Sequence, residues 1–156
     1  MPTTEPISKE LTLPEFLQKY PWPAEWLKKG KPLHFFWKFD LPVPALDLWP
    51  YVADLSSFNK RVGMGEMKFT EKNGRLQGFS VNGGTEQDWE EVPWEWEYGR
   101  QFSHARVYRK GLSYYMRARY LFEERGPGQS RLYAYLSFIP RGGPSADLSS
   151  TLAFPK

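Results

Sequence analysis

The stretch from Leu112 to Glu124 alternates apolar and polar side chains more regularly than any other segment, and this alternation constrains the fold most. One set of alternate residues is apolar or aromatic: Leu112, Tyr114, Met116, Ala118, Tyr120 and Phe122. The set between them is mostly polar, with Leu121 as the exception: Ser113, Tyr115, Arg117, Arg119 and Glu123. A repeat of two residues places successive side chains on opposite faces of a β-strand. The pattern therefore predicts a long strand with one buried face.

Shorter segments of strand-like sequence lie on both sides of this strand and are separated by turn residues. They are Leu33 to Asp40, Met67 to Thr70, Leu76 to Val81, Gln87 to Glu91, Trp94 to Tyr98, Phe102 to Arg109 and Leu132 to Phe138. Asn73-Gly74 is the strongest hairpin signal, because both residue types tolerate the positive φ angles of a type I′ turn. Val92-Pro93 predicts either a bulge or an edge position. Strands joined by such short turns pair antiparallel.

Two short helical signals precede the first predicted strand. Thr12 as the N-cap and Glu15 three residues later form a capping-box pattern, and Pro23 to Lys29 predicts a second short turn that Gly30 closes. We expect this lead-in to pack on the domain or on a partner chain. The expected organisation has four parts: a disordered N-terminus (1–10), a helical lead-in (11–32), one domain (33–141) and a C-terminal tail (142–156).

Two further helices are expected after the first strand. Ala45 to Leu55 has apolar residues at helical spacing, and Pro50 inside it implies a kink or a late start. Ser56 to Val62 predicts a second short helix before Gly63. A curved antiparallel sheet of about six to seven strands with this helical insertion is an α+β domain.

The composition excludes several classes of site. The 156 residues include no cysteine and only two histidines, His34 and His104, so disulfides and cysteine-based zinc sites are excluded and neither a metal nor a cofactor is expected. The net charge of +3 is too small to predict nucleic-acid binding. No segment approaches the ~20 apolar residues that span a bilayer, and no signal peptide is visible. We expect a cytoplasmic protein.

Acidic and basic residues are separated along the middle of the chain. Six acids and no bases lie between Leu76 and Gly99, and six bases and no acids lie between Tyr98 and Phe122. One interpretation is that neighbouring strands pair these charges on the solvent face. The other is that one of the arginines, Arg106 in particular, meets an anionic ligand.

The order of elements and several residues resemble the START-like superfamily, also called helix-grip, polyketide cyclase-like or SRPBCC domains. The first-helix signature is similar to Pro44-x-x-Asp47-Leu48-Trp49-x-x-x-Ala53-Asp54-Leu55-x-x-Phe58-Asn59. Trp89-x-Glu91-x-Pro93 and Arg106-x-Tyr108-x-x-Gly111, with Trp49-Pro50, Phe58-Asn59 and Gly63, resemble the START-like domain that precedes some bacterial class III adenylate/guanylate cyclase domains. The resemblance covers residues 33–141.

The resemblance implies a ligand-binding or regulatory module, with one departure from the family. The family closes its cavity with a long C-terminal helix, whereas the glycines and prolines among residues 142–156 leave room for one or two helical turns. The C-terminal helix is therefore expected to be absent or truncated, and the chain to be cut from a longer protein or closed by another element. The resemblance also implies a sensory role beside a linked cyclase domain.

The expected ligand is an apolar or amphipathic small molecule. The predicted binding residues are Trp96, His104, Arg106, Tyr108, Tyr114, Met116 and Tyr120, with Phe122 beside them. A protein-interaction module, either a dimerising scaffold or an adaptor, is the alternative, because an uncovered sheet face exposes apolar surface. An enzyme of the cyclase or aromatase type is the second alternative, with His104, Glu91 and Tyr108 as candidate acids or bases, but spacing identifies no catalytic residue.

Overall fold

The protein is described here by a computed structural model that covers residues 10–54, 67–82 and 84–142. Seven antiparallel strands form one curved sheet in the order β1-β7-β6-β5-β4-β3-β2. The strands are β1 (Leu33–Leu41), β2 (Lys68–Lys72), β3 (Arg75–Asn82), β4 (Thr85–Glu97), β5 (Gln101–Lys110), β6 (Ser113–Gly126) and β7 (Gln129–Pro140). The described helices are α1 (Leu13–Lys19), α2 (Ala24–Leu27) and α3 (Ala45–Ala53). The α+β class and the seven-stranded sheet agree with the sequence prediction.

The β2–β3 hairpin turns where the sequence predicts it. Asn73 and Gly74 have φ angles of 55° and 75°, and Lys72 pairs with Arg75 across the turn. A two-residue turn with both φ angles positive matches the right-handed twist of the strands that it joins.

The proline at residue 93 lies inside a strand that has neighbours on both sides. The segments predicted separately on either side of Val92-Pro93 form the single strand β4, whose register against β5 shifts between Val92 and Glu95. The β3–β4 ladder ends at Gln77–Glu90, so at Pro93 the strand has only β5 beside it among the described residues, and the proline marks both a bulge and a local edge.

The first strand and the last strand of the sheet are neighbours. β1 pairs with β7 from Leu33–Phe138 to Leu41–Ser130, which brings together segments about 100 residues apart in the chain. The remaining strands follow one another in sequence order from β2 to β7.

The two faces of the sheet carry different coverings. We call the face that contacts α3 the inner face; there Trp49 of α3 packs on Phe102 and Phe122 at centroid distances of 5.4 and 5.2 Å. The opposite face, here the outer face, is covered by the lead-in. Phe16 of α1 is 1% exposed and lies 4.5 Å from the ring of Tyr135. The lead-in therefore packs on the domain, one of the two arrangements that the sequence left open.

Hydrogen bonds attach the lead-in to the sheet. The capping box between Thr12 and Glu15 is formed as predicted. The indole N–H of Trp22 donates to the hydroxyl of Tyr135 at 2.9 Å. Arg117 donates to the carbonyl oxygens of Tyr20 and Pro21, at 2.6 and 3.0 Å, where the two helices of the lead-in meet.

The predicted placement of helices differs from the structure. The prediction placed two helices directly after the first strand, whereas among the described residues one helix, α3, follows β1; the two short helices predicted before that strand are present as α1 and α2. The predicted helix from Ser56 to Val62 lies outside the described residues. Nearly all of the predicted tail, 142–156, and of the predicted disordered N-terminus, 1–10, also lies outside them.

The separated charges pair across neighbouring strands. Lys110 contacts Glu86 at 2.6 Å, and Arg109 contacts Asp88 at 2.5 Å, both between β5 and its neighbour β4. These pairs are largely exposed, so each contributes little to stability. The interpretation of acidic and basic strands lying side by side is therefore confirmed for these residues.

Candidate functional site

A buried carboxylate organises the polar part of the inner face. Glu91 accepts three hydrogen bonds: from the indole N–H of Trp89 at 2.8 Å, from that of Trp94 at 3.0 Å, and from Nε of Arg106 at 2.9 Å. The alternation of β4 brings Trp89 and Glu91 to the same face, and the bulge that follows returns Trp94 to it. Both carboxylate oxygens are thereby occupied within the protein.

Arg106, the partner of Glu91, is also buried and makes further contacts with neighbouring side chains. The side chains of Arg106 and Glu91 are 9% and 1% exposed. The guanidinium of Arg106 lies 4.3 Å from the ring centroid of Trp89, and its Nη2 is 3.1 Å from Sδ of Met67. A buried arginine is stable only when its charge is compensated and its N–H groups are bonded. Arg106 and Glu91 together form an electrically neutral pair.

His104 differs from this pair because its polar atoms have no partner. The residue is 5% exposed, and neither ring nitrogen has a hydrogen-bond partner among the residues that the structure describes. Its ring lies 5.3 Å from Trp94 and 6.4 Å from both Phe102 and Tyr120, measured between centroids. Burial, and secondarily the charge of Arg106, lowers the pKa of His104 well below its usual range. The imidazole is therefore neutral and presents one free donor and one free acceptor.

Two partly buried tyrosines adjoin the histidine and the arginine. Burial raises the pKa of Tyr120 to about 12 and also raises that of Tyr108. The Tyr120 ring stacks on Phe102 at 4.7 Å, and the Tyr108 ring lies 5.6 Å from Trp89. Both hydroxyls are therefore protonated at neutral pH and are suited to hydrogen bonding rather than to proton abstraction.

The structure brings together five of the seven predicted binding residues. His104, Arg106 and Tyr108 follow one another on the inner face of β5, and Met116 and Tyr120 lie on the same face of β6. Met116 is opposite Arg106 in the ladder. These five residues, with Trp89, Glu91, Trp94 and Phe102, are called the inner cluster below.

The remaining two predicted binding residues are not buried with the inner cluster. Trp96 is opposite Phe102 but is 66% exposed. The Tyr114 ring is covered by the cations of Lys29 and Arg141, at 5.3 and 4.7 Å. A register shift between Ser113 and Tyr115 interrupts the alternation of β6, so the pattern does not extend to Tyr114.

Sequence reasoning did not assign Trp89 and Trp94 to the site. Each donates to Glu91, and Trp89 also covers Arg106. The Trp89-x-Glu91 spacing could have identified Trp89, since residues two apart on a strand share a face. The bulge that returns Trp94 to this face is not readable from the residues alone.

The arrangement offers little for acid–base catalysis. Glu91 is occupied by three donors, and no carboxylate among the described residues bonds to His104 to orient a tautomer. A histidine with a strongly lowered pKa is also a weak base at neutral pH. Within the described ranges, no group of three potential metal ligands is present.

Comparison with known proteins identifies the fold. No family model and no curated protein matches the sequence. Solved structures do match: the Zhui aromatase/cyclase from Streptomyces sp. R1128 has a TM-score of 0.57 at 13% identity, covering 72% of this chain and 71% of that one. A START superfamily protein from Mycobacterium smegmatis has a TM-score of 0.56 at 12% identity, covering 77% and 86%.

A third similar structure is Ara h 8.0201, with a TM-score of 0.53 at 15% identity, covering 78% of this chain and 87% of that one. None of the helices in the described part of the chain is long and apolar enough to cross a membrane. At identities of 15% or less, these matches show the fold and not the function. The similarity of the structures extends over most of each chain. The chain has the START-like, or SRPBCC, fold.

Proposed function

We propose that this domain is a non-catalytic binding or regulatory module for an apolar or amphipathic small molecule that contacts the inner cluster. A finer version of the proposal, a sensory domain of a nucleotide cyclase, rests on the sequence resemblance alone. The site residues proposed are His104, Arg106, Tyr108, Met116 and Tyr120.

The observation that carries the proposal is the unpaired imidazole of His104. A buried polar group without a partner costs about 1–3 kcal/mol. An unsatisfied buried group in a folded protein calls for a specific explanation, and a ligand that occupies its hydrogen bonds during function is one. A bound molecule with a hydroxyl or carbonyl group would supply the missing partner, while the surrounding rings of Trp94, Phe102 and Tyr120 supply apolar contact.

The charge balance of the inner cluster limits the polar part of the ligand. Arg106 is already neutralised by Glu91 at 2.9 Å, and His104 stays neutral because burial lowers its pKa. An anionic group that bonds to Nε of Arg106 would have to displace Glu91. We therefore propose that the ligand meets this cluster with uncharged polar groups, which replaces the earlier interpretation that Arg106 binds an anion.

A protein-interaction module is the second candidate, and a separate observation favours it. Trp96 and Tyr98, near the end of β4, are 66% and 62% exposed, and Leu46 at the start of α3 is also exposed. The backbone at Gly99 lies against Leu46, and Tyr98 contacts Trp49, so α3 and the β4–β5 turn form one apolar surface. Surfaces of this kind attract partners, including a second copy of the chain.

Native mass spectrometry of the purified chain, followed by denaturing extraction, tests both candidates. We expect a monomer that carries small molecules of one mass class with uncharged polar groups. The matched control is His104→Phe, which keeps a ring in place and should retain much less of the extracted material. An empty dimer would overturn the binding proposal in favour of the interaction module. Equal retention by the variant would remove His104 from the site.

A further inference from the structure

A groove of about 370 Å³ lies on the outer face, between the lead-in and strands β4 to β6. Its walls are Phe16, Tyr20 and Trp26 on one side and Val92, Pro93 and Ala105 on the other. Pockets that hold small molecules have volumes of about 300–1,000 Å³, so this groove is at the small end of that range. The lining also includes His104 and Ala118, which pair with each other on β5 and β6 and whose side chains belong by alternation to the inner face, so the groove and the inner cluster adjoin the same two strands.

The charged residues that line the groove are unbalanced. Three are cations, Lys19, Arg117 and Arg119, and one is an acid, Glu95. Arg119 pairs with Glu95 at 3.2 Å and also donates to Gln101. Among the described residues, neither Lys19 nor Arg117 has a carboxylate partner. The groove therefore has two uncompensated positive charges.

Arg117 is held by neutral groups that leave part of its donor capacity unused. Two of its nitrogens donate to the carbonyl oxygens of Tyr20 and Pro21, while the buried Nε has no acceptor within the described ranges. Its guanidinium lies 4.8 Å from the ring centroid of Trp22 and 5.2 Å from that of Tyr135. Burial lowers the pKa of Arg117. An anion close to this cation would offset the cost of burying it.

The apolar part of the groove is rigid and aromatic. The Trp26 ring stacks on Tyr115 with centroids 4.4 Å apart and planes 7° apart, which fixes the position of its indole. Phe16 and Tyr20 contact each other at 5.1 Å. Pro93 lines the opposite wall at the bulge of β4. An apolar body with one negative group matches this combination of rings and cations.

The geometry points to a second binding site in this groove, for a small apolar carboxylate whose body contacts Trp26 and whose charge faces Lys19 and Arg117. This site is independent of the proposed inner-face ligand, since the two lie on opposite faces and differ in charge. Lys19 is the residue best suited to test it, because it is exposed at the end of α1 and its removal leaves the bonds of Arg117 intact.

The test is an NMR titration of the full chain with 1-naphthoate and with 1-naphthamide, which has the same rings but no charge. The indole N–H signals of Trp26 and Trp94 report on the groove and on the inner cluster, and each is assigned from its Trp→Phe variant. We expect the Trp26 signal to move and naphthoate to bind about fivefold more tightly than naphthamide at low salt, consistent with an exposed ion pair.

Lys19→Gln should weaken naphthoate binding about twofold to fivefold and leave naphthamide unchanged. Lys68→Gln on β2 is the matched control, because it removes the same charge at the edge of the sheet and should change neither. The proposal is overturned if both ligands bind equally and Lys19→Gln has no effect. It is equally overturned if naphthoate moves the Trp94 signal and not that of Trp26.

Discussion

At the scale of single residues, the inner cluster contains two kinds of buried polar group. Glu91 and Arg106 bond to each other and Glu91 also accepts from Trp89 and Trp94, whereas His104 has no hydrogen-bond partner in the described part of the chain. Removing one residue of the Glu91–Arg106 pair should lower stability, because the other residue is left charged and buried. The second kind is sensitive to pH, because protonation adds a charge where water is excluded.

Glu91→Gln should destabilise the protein by about 3–5 kcal/mol, because it leaves the charge of Arg106 buried without compensation. Urea denaturation followed by circular dichroism measures the change. Glu90→Gln is the matched control, since Glu90 is the next residue of β4 and pairs with the exposed Arg75, and it should leave stability nearly unchanged. Recovery of much of the loss in Glu91→Gln/Arg106→Met would support the charge explanation. A small effect of Glu91→Gln alone would contradict it.

His104 should make stability fall as the pH drops below about 6.5. Because the folded-state pKa of His104 is lowered, the unfolded chain binds more protons below its ordinary pKa, and stability is fully present only above that pKa. The unfolding free energy should decrease between pH 6.5 and 5 with a slope approaching about 1.4 kcal/mol per pH unit. Urea titrations at each pH measure it.

His104→Phe should flatten this dependence and raise stability at pH 5. His34→Gln is the comparison: the pKa of His34 is lowered in the same direction, mainly by partial burial and further by Arg117, but less than that of His104. His34→Gln should therefore remove a smaller part of the pH dependence of the unfolding free energy than His104→Phe does. A slope that survives in His104→Phe would show that His104 is not the responsible group.

At the scale of elements, the β3–β4 pairing depends on a glycine that lies beneath the cluster. Gly78 is opposite Trp89 in the ladder, and a Cβ at Gly78 would overlap the Trp89 indole. That indole donates to Glu91 and covers Arg106. Because Gly78 of β3 has no side chain, the Trp89 indole of β4 can lie against it and contact Glu91 and Arg106.

Gly78→Ala should destabilise the protein by about 1–3 kcal/mol, because Trp89 must move away from its buried position. The Trp89 indole N–H signal in an NMR spectrum should shift as its bond to Glu91 changes. Gly142→Ala is the matched control, because nothing lies within 4 Å of a Cβ placed there, and it should be neutral. An unchanged Trp89 signal in Gly78→Ala would refute this account.

At the scale of the whole molecule, the sheet separates two sets of contacts. α3 and the inner cluster lie on one face, and the lead-in with its groove lies on the other. The lead-in is attached by Phe16, Trp22 and the two bonds of Arg117. These contacts indicate that residues 10–30 unfold together with the sheet and not as a separate arm.

Phe16→Ala should therefore lower the global unfolding free energy by about 3–5 kcal/mol, as for other fully buried aromatic side chains. Circular dichroism and tryptophan fluorescence should report the same urea midpoint. Leu27→Ala, at a half-exposed position in the same lead-in, is the control and should have little effect. If Phe16→Ala left the midpoint unchanged while lead-in amides lost hydrogen-exchange protection, the lead-in would be an independent unit.

The sequence by itself determined the local structure and much of the strand order. The alternation in β6, the Asn73-Gly74 turn and the capping box of Thr12 and Glu15 depend on neighbouring residues, so they are readable along the chain. Alternation also grouped His104, Arg106 and Tyr108 on one face of β5, and Met116 with Tyr120 on one face of β6. These predictions rely only on the two-residue period of a strand.

Tertiary structure alone decided which groups face each other across the chain. The partners of Arg106, the pairing of β1 with β7 and the position of the lead-in on the outer face join residues that are 15 to more than 100 positions apart. The register shift between Ser113 and Tyr115 and the one beyond Val92 moved Tyr114 away from the cluster and Trp94 into it. Periodicity cannot predict such outcomes, because a single extra residue reverses which face every later side chain occupies.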